Sequence, residues 1–112
     1  MGVKMGTEGL VITIIGHFIS LTSEEIKYDN MKEDLSNCIL FTTNTMTKAK
    51  EEFKKIIIRE KTKSWVADIL KYNVLNTNNG RLYYYEDDEE FVVEDRYTGR
   101  ISHIQIVKHL MN

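Results

Sequence analysis

The chain has 112 residues and a formal net charge of −2, with 42% apolar and 29% charged residues. That balance excludes a disordered polar chain, and the length suits one domain, residues 1–112, burying roughly two-thirds of its unfolded surface. The charge is unevenly placed: residues 1–47 carry three bases and six acids, 48–81 nine bases and four acids, and 82–112 three bases and seven acids. A basic middle thus sits beside an acidic C-terminal third.

Residues 1–9 hold three glycines without periodicity and are expected to form a loose start. Their glycines precede a strand instead of following one, so they do not form a phosphate loop. Leu10–Leu21 is apolar on both alternating faces, as in a strand covered on both sides. It is too short for the ~20 residues of a spanning helix, so no membrane role is expected. Gly16 within it predicts a bulge or a close neighbour. Thr22 and Glu25 match a capping box, so residues 24–35 are read as a helix, with an exposed edge strand as the alternative. Cys38–Thr43 is short, apolar and ends in β-branched residues, which predicts a strand near the sheet centre.

From Thr47 to Leu75 there is neither glycine nor proline. Ala49, Phe53, Ile56 and Ile57 recur at helical spacing, and so do Val66, Ile69, Leu70 and Val74. The two sets are offset across Arg59–Ser64, which predicts two arms meeting at a bend or one helix that changes its buried face. Thr47 is the expected cap. The tract 76–80 reads as a turn. Leu82–Tyr85, Phe91–Glu94 and Ile101–Val107 then alternate with period two and form a predicted meander, with a short tail helix over Lys108–Asn112. The expected architecture is α+β: a single mixed, mostly antiparallel sheet of about five strands with a long helical segment packed on one face.

Chemistry-bearing motifs are few. The single cysteine, Cys38, cannot form an internal disulfide, which points to a reducing, cytoplasmic setting. His17, His103, His109 and Cys38 show none of the close spacings of zinc motifs, and no metal or cofactor is expected. No nucleophile motif is present. His17 interrupts an apolar strand, where an imidazole oriented by a carboxylate would act as a general base. That makes a small hydrolase or nuclease built on His17 or His103 the third functional reading.

The sharpest local feature is the acidic hairpin. Glu86, Asp87, Asp88, Glu89 and Glu90 follow one another, with Tyr83 and Tyr85 just before them. Five adjacent carboxylates repel unless a cation or basic partner is near, and exposed tyrosines give contact area at little entropic cost. The first reading is therefore a small non-enzymatic binding protein that inhibits or regulates a larger partner with a basic surface. A chain without proline but rich in Ile, Asn, Lys and Tyr suggests an AT-rich source such as a phage or mobile element. The second reading is a nucleic-acid-binding regulator that uses Lys54, Lys55, Arg59 and Lys61 on the basic helix of residues 48–71. A large apolar helix face also suggests a homodimer.

Overall fold

The computed structural model describes residues 10–19, 35–72, 77–78 and 80–110. Among these residues six strands, β1 (Leu10–Ile19), β2 (Leu35–Thr43), β3 (Thr77–Asn78), β4 (Leu82–Glu86), β5 (Glu90–Asp95) and β6 (Arg100–Leu110), form one sheet in the order β2-β1-β6-β5-β4-β3. Every pairing is antiparallel. Two helices, α1 (Met46–Glu60) and α2 (Ser64–Tyr72), complete the α+β architecture.

The core follows from the two periodicities. Ala49, Phe53 and Ile57 lie along one stripe of α1, with Val66 and Ile69 on α2. They meet Ile12 and Ile14 of β1, Ile104 and Ile106 of β6, Phe91 and Val93 of β5 and Tyr84 of β4. These strand residues alternate, so they share one face of the sheet. Burying a side chain such as Phe53 contributes about 1.5–3 kcal/mol.

The central helical segment divides where its apolar sets are offset. Thr62 and Lys63 amides reach back three residues to Arg59 and Glu60 carbonyls, and the Thr62 hydroxyl donates to the Arg59 carbonyl at 2.6 Å. This tightened turn ends α1. The Ala67 amide then bonds the Lys63 carbonyl at 2.8 Å, and α2 starts with its apolar face reset toward the sheet. Val74 and Leu75 lie outside the described residues.

Three expectations are corrected. The α1 cap is Thr45, not Thr47; Thr45 has extended backbone and its side chain accepts from the Lys48 amide at 3.4 Å. Among the described residues β2 lies at the sheet edge, not near its centre, because the C-terminal β6 takes the inner side of β1 and the meander extends the sheet from there. Its apolar character comes instead from Leu40 and Phe41, which pack against the core beneath α1. Residues 108–110 extend β6 instead of starting a tail helix, because Leu10–Ile12 provide them with a ladder partner. The predicted helix over 24–35 falls largely on residues 20–34, outside the described part; Leu35 itself is in β2.

Gly16 meets both of its expectations. The β1–β2 register shifts on either side of it, and a Cβ there would lie 2.6 Å from Phe18 Cζ and 3.0 Å from Leu40 Cδ1. Gly99, with φ of +84°, supplies the left-handed residue of the β5–β6 turn. There the Asp95 carboxylate accepts from the Tyr97 and Thr98 amides, at 3.0 and 3.4 Å.

Candidate functional site: the acidic hairpin

β4 and β5 pair from Leu82↔Asp95 to Glu86↔Phe91, and the ladder continues into the turn through the Asp87 amide, which donates to the Glu90 carbonyl at 2.9 Å. The turn is locked by its first residue. Asp87 Oδ1 accepts from the amides of Glu89 and Glu90, both at 2.8 Å, and Oδ2 accepts from the Tyr85 hydroxyl at 2.5 Å. An aspartate that bonds amides two and three residues on is the standard device for fixing such a turn. The tyrosine hydrogen bond, followed by the Glu89 amide, holds Asp87 below the ordinary aspartate range and pushes the Tyr85 phenol up.

Alternation divides the predicted patch into three parts. Glu86 faces the helices, where it accepts from the Tyr84 hydroxyl at 2.7 Å and pairs with Lys61 Nζ at 2.9 Å. Burial and that carboxylate together drive the Tyr84 phenol far above its ordinary range. Its ring meets Phe91 edge-on at 6.2 Å, and Lys61 also stands 5.9 Å from the Phe91 ring. Tyr83, Tyr85 and Glu90 take the opposite face, with Arg96 over the Tyr83 ring at 5.5 Å. Glu90 bonds His103 Nε2 at 2.7 Å. At the tip, Asp88 and Glu89 have no side-chain hydrogen bond or ion pair among the described residues. With Asp87 they line an open hollow of about 530 Å³.

The remaining acids of this segment are engaged at its base: Glu94 with Arg96 at 3.1 Å, and Asp95 with Arg81 at 3.8 Å. Comparisons with protein-family models, curated proteins and solved structures found no match to this chain. The geometry alone carries the functional reading.

The basic helix is divided as well. Lys54, Lys55 and Arg59 are exposed on α1, and Lys55 pairs with Glu52 at 3.4 Å. Lys61, just past the helix end, turns to the sheet and Glu86. The sequence groups Lys61 with Lys54, Lys55 and Arg59, but the break after Glu60 separates it from them. Two further groupings were not foreseen. Ser102 donates to Glu60 Oε2 at 2.7 Å, and Lys63 reaches the same oxygen at 2.7 Å. His17 stands opposite His103 across β1 and β6. The alternating patterns of β1 and β6 hold the signal for the histidine pair, but only once their register is known.

Proposed function

We propose that this chain is a small non-enzymatic binding protein that inhibits or regulates a larger partner by docking the hairpin tip on a basic surface. One observation carries the reading: Asp88 and Glu89 project from a turn locked by Asp87, while Lys61, just past the end of α1, pairs with Glu86. A rigid tip loses little entropy on binding, and unneutralised carboxylates raise the encounter rate with a cationic partner. Tyr83 and Tyr85 would add contact area beside it.

The test is a pull-down from the source organism with wild-type chain and with the Asp88→Ser/Glu89→Ser double variant, which leaves the Asp87 lock in place. The captured protein should be lost from the double variant and released by salt. Equal capture by both would end this reading. Lys61→Ala supplies a second arm, because removing the cation from Glu86 leaves a more negative hairpin. A hairpin docked on bases then binds at least as well. Weakened binding, together with retention of a DNA or RNA probe at low salt, would favour the nucleic-acid reading through Lys54, Lys55 and Arg59 instead.

A further inference from the structure

Histidines far apart in the chain come together on the sheet. The β1–β6 ladder runs from Leu10↔Leu110 to Ile19↔Ile101 without a register shift and sets His17 directly opposite His103. Residues so paired project from the same face with Cβ atoms about 4.5–5.5 Å apart. Two imidazoles at that spacing can swing onto one ion, since metal–nitrogen bonds are only about 2.0–2.1 Å long. Alternation places the pair on the face away from α1 and α2, opposite to Ile14 and Ile104. The site is open to solvent, the His103 and Glu90 side chains being 31% and 38% exposed.

The second observation is Glu90, whose Oε2 lies 2.7 Å from His103 Nε2. When Nε2 donates to that carboxylate, Nδ1 keeps its lone pair. This is how protein metal sites commonly fix the tautomer and orientation of a ligating histidine. We propose that His17 and His103 form a cross-strand chelate for a divalent transition-metal ion of the imidazole-preferring class, Cu²⁺, Ni²⁺ or Zn²⁺, with Glu90 as the positioning residue. No group of three or more His, Cys, Asp or Glu side chains comes together for metal binding among the described residues. The described residues thus supply two ligands, and other groups, such as water, fill the remaining positions. Such a site holds an exchangeable ion, not a structural one. It is separate from the hairpin tip and does not depend on the protein-binding reading.

The test titrates metal-free chain with CuCl₂, NiCl₂ or ZnCl₂ by calorimetry, with the Cu²⁺ form also examined by electron paramagnetic resonance. One ion per chain is expected, with two nitrogen ligands in the Cu²⁺ spectrum. Either His17→Ala or His103→Ala should weaken binding by at least about ten-fold, and Glu90→Gln by about ten-fold, the usual cost of losing such a supporting carboxylate. His109→Ala and Asp88→Ser/Glu89→Ser should leave it unchanged. In the unmutated chain, ring resonances of His17 and His103 should shift together during a Zn²⁺ titration while those of His109 stay put, a readout that needs no variant to fold. No uptake, uptake that survives His17→Ala, or uptake lost with His109 or the hairpin acids would overturn the proposal.

Discussion

The Asp87 carboxylate faces its own backbone: two amides and one phenol converge on it. Replacing it with alanine should cost about 1 kcal/mol in urea denaturation, the net worth of hydrogen bonds at such a site. Asp87→Asn, which keeps one acceptor oxygen, should lose less. The pH sign follows from the lowered Asp87 value. The stabilisation is complete above the ordinary aspartate pKa of 3.8 and disappears as pH falls through the depressed folded value. The side-chain carboxyl carbon resonance of Asp87 should accordingly hold steady down to that ordinary value and move only below it. Movement beginning well above it would contradict the lock. At Gly16 the constraint is space. Gly16→Ala should destabilise by about 1–3 kcal/mol, because the new methyl meets the Phe18 ring and Leu40. The double variant Gly16→Ala/Phe18→Leu should recover part of that loss; an equal or larger loss would place the obstruction elsewhere.

Among the elements, α1 ends against expectation, because a carboxylate near a helix C-terminus meets the negative end of the dipole. Glu60 is nonetheless buried there, held by the Ser102 hydroxyl and the Lys63 ammonium, which also lies 4.7 Å from the Phe18 ring. The sequence places Glu60 in a polar run, yet its helical spacing from Phe53 and Ile57 puts it on the buried stripe. Glu60→Ala should cost about 2 kcal/mol, since it leaves Ser102, fully buried, without its acceptor. A thermal melt equal to wild type would refute that account. The three-strand meander was legible because each strand shows its own period-two pattern and the turns are short. The edge position of β2 was not, because apolar residues covered by α1 read like those of a central strand. Ile39, 66% exposed on that strand, shows that its outer side is open.

For the molecule as a whole, the order β2-β1-β6-β5-β4-β3 places an N-terminal strand beside the most C-terminal described one. Local patterns reveal strands but not partners, so neither this pairing nor the meeting of His17 with His103 could be read before the sheet was assembled. The hairpin, by contrast, is local and lies where the sequence placed it, although Glu86 turns inward to Lys61 and Glu90 bonds His103. No helix among the described residues is long and apolar enough to cross a membrane. Non-local pairing of this kind slows folding. Stopped-flow refolding followed through Trp65, the sole tryptophan, should fall in the millisecond-to-second range of such sheets. Microsecond folding would mean that the helices, not the β1–β6 ladder, set the barrier.

That ladder also bears on how the chain is made. As it leaves the ribosome, Leu10–Ile19 emerges greasy and half-clad, and one of its two flanks stays bare until residues 101–110 have been synthesised. For that interval it is the stretch most prone to stick to neighbouring nascent chains or to recruit a chaperone.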